Sequence, residues 1–62
     1  MNLKEVIPNL NKPVVYKDIV YTLNGCIVRR NRRTGQIYYT AEILDKNKNS
    51  VCIVGLEEIT VC

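Results

Sequence analysis

A five-residue loop, Asn31-Arg32-Arg33-Thr34-Gly35, divides two runs of strand-forming residues and constrains the fold more than any other stretch. Asn31 opens a type I turn because its side chain can accept backbone N–H groups locally. Arg32 and Arg33 occupy the centre. Gly35 supplies the left-handed residue from which the second strand restarts. With Asn31 opposite Gln36, the register follows: Arg30 faces Ile37, Arg29 faces Tyr38, Val28 faces Tyr39, Ile27 faces Thr40 and Cys26 faces Ala41. Side chains alternate across a strand, so Cys26, Val28, Ile37, Tyr39, Ala41 and Ile43 share one side, the expected core. Ile27, Arg29, Tyr38, Thr40 and Glu42 share the wetter side. A slip of one residue would exchange the two sets.

The chain has 62 residues, too few to close two separate cores, and is expected to form a single domain over 1–62. An N-terminal turn is expected over 1–8. Asn2 is a good N-cap, Glu5 stands where a capping box places its acid, and Leu3, Val6 and Ile7 fall on one helical face. Pro8 is expected to stop the turn, which then covers one end of the core. The β-structure is expected over 13–62. Pro13 suits the start of a strand. Lys17-Asp18, between two β-rich runs, reads as a tight hairpin turn. Gly25 interrupts a strand that would otherwise run from 19 to 30, which marks a bulge or bend.

Asp45-Lys46-Asn47-Lys48-Asn49-Ser50 is a polar turn, and Val51-Cys52-Ile53-Val54 is the fourth strand. Its register leaves Leu44, Val51 and Ile53 on the outer face. Either the N-terminal segment covers that face or a partner does. Leu56-Glu57-Glu58 reads as a 3₁₀ turn, and Ile59-Thr60-Val61 as a short last strand.

The stretch Gly25-Cys26-Ile27-Val28, Tyr38-Tyr39-Thr40-Ala41-Glu42-Ile43, Asp45, Ser50-Val51-Cys52-Ile53-Val54 and Leu56-Glu57-Glu58-Ile59 resembles, in strand rhythm, the Tudor- and KOW-type members of the SH3-like fold. The likeness covers about three quarters of the chain. It implies an all-β, mostly antiparallel, five-stranded SH3-like barrel with a short N-terminal helical turn and a late 3₁₀ turn. A Tudor-type aromatic cage needs clustered aromatics. The four tyrosines here are Tyr16, Tyr21, Tyr38 and Tyr39, and the register turns Tyr39 inward, which argues against methyl-lysine reading. SH3-like barrels serve many roles, so the function must be read from the site.

Catalysis has little to work with. Histidine is absent, and no serine or cysteine has an obvious activating base. A non-enzymatic protein is expected. Cys26, Cys52 and Cys62 are expected as reduced thiols, two of them acting as small core hydrophobes. No closely spaced cysteine pair suggests zinc, and no cofactor is expected. The N-terminus carries Lys4, Glu5 and Pro8 rather than a long apolar run, so no signal peptide is expected. No run approaches the ~20 apolar residues of a membrane helix, so no membrane role is expected. These features together point to a cytoplasmic location.

The formal net charge is +3, from nine basic and six acidic residues. Its placement matters more than its size. Arg29, Arg30, Arg32 and Arg33 fall within five positions, and the acids lie elsewhere. Guanidinium groups fork onto phosphate oxygens, and a flat Tyr38 beside Arg29 can stack on a base. The expectation is a small binding module whose 29–33 loop contacts an anionic ligand, a nucleic acid or nucleotide, through Arg29, Arg30, Arg32, Arg33 and Tyr38. A charged turn that only keeps the hairpin soluble is the bland alternative. The alternative of another class is a protein-interaction module or inhibitor, pairing with a protein partner or with itself through Ile27, Leu44, Val51 and Ile53. Residue usage rich in Asn, Lys, Ile and Tyr fits AT-rich codons. Together with the small size it suggests an accessory protein of a low-GC bacterium, phage or mobile element, some of which block host defence proteins.

Overall fold

The computed structural model describes residues 1–47 and 49–62. Lys48, assigned above to the polar turn, lies outside them. A 3₁₀ turn at Leu3–Glu5 runs into the one-turn helix α1 (Val6–Asn9). Strands β1 (Pro13–Tyr16), β2 (Ile19–Arg30), β3 (Ile37–Leu44) and β4 (Val51–Gly55) follow. A second 3₁₀ turn, Leu56–Glu58, leads to β5 (Thr60–Val61). The strands form one sheet in the order β4-β3-β2-β1-β5, with antiparallel pairing throughout.

The central register is the one the arginine turn predicts. Cys26 pairs with Ala41, Ile27 with Thr40, Val28 with Tyr39, Arg29 with Tyr38 and Arg30 with Ile37. At the other end of the ribbon, Leu23 pairs with Ile43 but Gly25 pairs with Glu42. Asn24 is therefore the extra residue of a β-bulge, and its side-chain amide donates to Glu42 Oε1 at 2.7 Å. The bulge shifts the alternation by one. Leu23 and Cys26, three apart, both turn inward, which an unbroken strand would forbid. The interruption expected at Gly25 thus falls one residue earlier. A side chain at Gly25 would meet nothing within 4 Å, so the space there does not demand glycine.

The core collects one or two residues from nearly every element. Val6, Val14, Leu23, Ala41, Ile43, Val54, Leu56 and Ile59 are buried, and Tyr16, Tyr21, Cys26, Tyr39 and Cys52 pack against them half-exposed. The N-terminal segment closes one end. The Met1 ammonium donates to the carbonyls of Leu56 and Ile59, and the Asn11 N–H donates to Leu23 O at 2.7 Å.

Two expectations about this segment are corrected. Pro8 does not end the turn but lies inside α1. The first four N–H groups of a helix have no intrahelical acceptor, so proline's missing donor removes nothing there. Nor do Leu3, Val6 and Ile7 share a buried face: Val6 alone is buried, and Leu3 and Ile7 are exposed.

The molecule measures 36 × 23 × 18 Å. At roughly 3.3 Å per residue, the 12 residues of β2 account for the long dimension. The core does not extend along all of it. Strand β4 pairs with β3 only as far as Thr40, opposite Gly55. The hydrogen-bonded partners of β1 on β2 end at Thr22. Beyond the Ile27–Thr40 pair, β2 and β3 continue as a bare two-stranded ribbon. No helix is long and apolar enough to cross a membrane among the described residues.

Candidate functional site

The ribbon's end is a closed and well-bonded turn. The Asn31 N–H donates to Gln36 O at 2.8 Å, and the Gly35 N–H donates to Asn31 O at 2.8 Å. Asn31 Oδ1 accepts from the N–H groups of Arg33 at 2.9 Å and Thr34 at 3.4 Å. Thr34 Oγ1 accepts from the Gln36 N–H at 3.2 Å. Gly35 has φ +73°, the left-handed value that glycine adopts without steric cost. The short polar side chains Asn31 and Thr34 hold the backbone. Arg32 and Arg33 are both exposed there.

Every residue from 28 to 38 is exposed. Arg29 and Tyr38 are cross-strand neighbours on the outer face, as are Arg30 and Ile37 on the inner one. The sequence-predicted ligand residues Arg29, Arg30, Arg32, Arg33 and Tyr38 are thus gathered within one projecting element. Residues 27–40 contain four arginines and no acid, leaving five basic and six acidic side chains for the rest of the chain. The molecule is electrically polarised: a cationic arm on a slightly anionic body. The acid next along the ribbon, Glu42, accepts from Asn24. Among the described residues the cation–π contact that forms lies elsewhere, with Lys17 Nζ 5.4 Å from the Tyr16 ring centroid.

Val28 and Ile37 require a correction. They face the inner side as expected, but they are 65 % and 52 % exposed and do not belong to the core. Their side of the ribbon has run past the last strand that could cover it. The short β4 run was the available signal, since five residues paired from Leu44 cannot reach row 37. Tyr38, 46 % exposed, adds a third bare apolar side chain among the cations.

A second surface lies on the outer face at the other end of the sheet. Leu44 pairs with Val51, and Glu42 with Ile53, so Leu44, Val51 and Ile53 share that face. Val51 is 55 % and Ile53 45 % exposed, and Leu44 is half-buried. The N-terminal segment therefore does not cover them. Val20, also exposed and on the same side, extends the patch and was not anticipated. Ile27 stands apart, half-buried at the root of the arginine ribbon beside Thr40. An open cleft lined by Asp18, Ile19, Val20, Tyr21, Asp45 and Lys46 borders the patch. Cys26 and Cys52 are half-buried, Cys62 is exposed, and all three are free thiols.

Comparison of the chain with protein-family models, with curated proteins and with solved structures gives no match in any of the three.

Proposed function

We propose that this chain is a non-enzymatic binding module that holds a nucleic acid through the arginine ribbon. The observation that carries this reading is the polarised, uncovered arm: four guanidinium groups, no carboxylate, and apolar side chains interleaved with them on both faces. A turn that served only solubility would need neither the exposed Tyr38 nor the exposed Val28 and Ile37. Arginines fork onto phosphates, and flat or apolar groups beside them contact bases.

The fold reading that accompanies it is an SH3-like barrel. It is supported by the order β4-β3-β2-β1-β5, by the 3₁₀ turn between β4 and β5, and by the bulge that bends β2. The decisive experiment is retention on immobilised nucleic acid at low salt. Wild-type protein is expected to be retained, and the Arg29, Arg30, Arg32 and Arg33 to Ala variant to pass through while staying folded. If wild type is not retained, or the variant is, the reading fails.

A second reading rests on a different observation, the exposed Val20, Val51 and Ile53 on the outer face. An apolar sheet face beside the open edge of β4 suits a protein partner or a second copy of the chain. Pull-down with and without nuclease separates the two: a partner that survives nuclease is held by protein contacts.

A further inference from the structure

The unflanked ribbon has a definite shape, and the shape selects among nucleic acids. From the Ile27–Thr40 pair to the Arg30–Ile37 pair is three steps, about 10 Å of two-stranded ribbon at ~3.4 Å per step. The turn lies beyond. Its strands stand about 4.8 Å apart. A B-form major groove is about 12 Å wide and 8.5 Å deep, and it admits a two-stranded ribbon with its side chains. The undistorted minor groove, about 6 Å wide, admits it only where the duplex is bent and the groove opened. The major groove of A-form RNA is too narrow for side chains to read.

We propose, resting on the nucleic-acid reading above, that the ribbon enters the major groove of duplex DNA with the face carrying Arg29 and Tyr38 toward the base edges. Arg29 and Tyr38 are themselves exposed on that face, which runs on past the half-buried Ile27 and Thr40 to the sheet's outer side, where Val20, Val51 and Ile53 are exposed as well. Arg29 lies two pairs back from the turn, at the depth of the bases, where a guanidinium can fork onto guanine O6 and N7. Tyr38 lies beside it as the apolar surface for a thymine methyl. Arg32 and Arg33, at the turn itself, meet the phosphates that line the groove. The body, with five basic and six acidic side chains, gains nothing by approaching the backbone and stays outside. The orientation therefore follows from charge as well as from shape.

The 62-residue chain is to be titrated, at low salt, against five probes of one mixed sequence that includes an A·T run. These are a B-form DNA duplex, the same duplex with glucosylated hydroxymethylcytosine filling the major groove, the plain duplex with netropsin occupying the minor groove of the A·T run, the RNA duplex, and the single DNA strand. Expected is a loss of affinity of about tenfold or more on the glucosylated duplex and on RNA, and no change with netropsin. Arg29→Ala, kept folded as judged by circular dichroism, should flatten the preference between G-rich and A·T-only duplexes. Arg32→Ala should weaken binding to both alike. Equal binding to plain and glucosylated duplexes, displacement by netropsin, or binding to single strands or RNA as tight as to duplex DNA overturns the groove assignment while leaving the nucleic-acid reading intact. Failure to bind any of the probes or single strands overturns both.

Discussion

Val28 and Tyr39 are directly paired across the central ribbon and turned to the same side, yet Tyr39 packs against the core while Val28 is 65 % exposed. The edge of the core passes between them. Everything nearer the bulge is held by burial, and everything nearer the turn by ladder hydrogen bonds and the turn alone.

This boundary predicts an uneven response to mutation. Ile43 is fully buried, and Ile43→Ala should cost about 2–5 kcal/mol from lost contacts and the cavity left behind. A chain of this size has roughly 3–9 kcal/mol in total, so that change should leave much of it unfolded at room temperature. Val28→Thr, four pairs further out, should lower stability by less than about 0.5 kcal/mol. Urea denaturation of the two variants measures the contrast. Equal losses would mean the ribbon is packed along its whole length.

Legibility in the sequence tracked the local chemistry. Asn31 and Gly35 carry the register of the central ribbon because turn residues act through their own backbone, and both did so here. The facing of Cys26, Val28 and Tyr39 follows from that register alone. Burial does not follow from facing. Val28 and Ile37 have the right side but no neighbour, because covering them is the work of β4, a distant segment whose length decides where the core stops. The bulge was legible as an interruption, but Gly25 drew attention from Asn24, whose bond to Glu42 is a tertiary contact that no local pattern carries. Pro8 misled because its usual role as a stop does not hold within the first turn of a helix. The arginine cluster was legible outright, since its members adjoin in sequence.

The same arm predicts a salt dependence. With Arg29 on a base edge and Arg30, Arg32 and Arg33 each neutralising a phosphate, log affinity would fall against log salt with a slope of about −2.7 for duplex DNA. Between 50 and 200 mM salt that is a loss of roughly 40-fold. Removing Arg32 and Arg33 together should bring the slope to about −0.9. Fluorescence anisotropy over a salt series reads both values, and a slope unaffected by the double change would place the contacts elsewhere on the chain.

The outer face makes a prediction that holds for either reading of function. Ile53 is exposed and Val54, beside it in β4, is buried. Ile53→Asp should leave the melting temperature within a few degrees of wild type, whereas Val54→Asp places an unpaired charge in the core and should prevent folding. If the patch pairs two copies, Ile53→Asp also converts a dimer to a monomer in analytical ultracentrifugation. Unfolding by Ile53→Asp would show that the side chain is needed for packing despite its exposure.

The two turns of the central strands make opposite predictions for glycine. At the β1–β2 hairpin, Lys17 (φ +50°) and Asp18 (φ +64°) both hold the left-handed backbone of a type I′ turn, without a glycine between them. A left-handed conformation costs an ordinary residue roughly 1–2 kcal/mol, somewhat less for aspartate. Asp18→Gly should relieve that strain and raise stability by about 0.5 kcal/mol, after allowing for the freedom glycine adds to the unfolded chain. Gly35, at φ +73°, already has the residue its turn requires, and a Cβ there would meet nothing within 4 Å. Gly35→Ala should therefore lower stability through backbone strain alone, by about 1 kcal/mol. Thermal melts of the two single variants and of their combination test this, and the effects should add, because the turns lie at different ends of β2 and share no neighbour. A gain from Gly35→Ala, or a loss from Asp18→Gly, would mean that the turn carrying that substitution does not keep its left-handed backbone in solution.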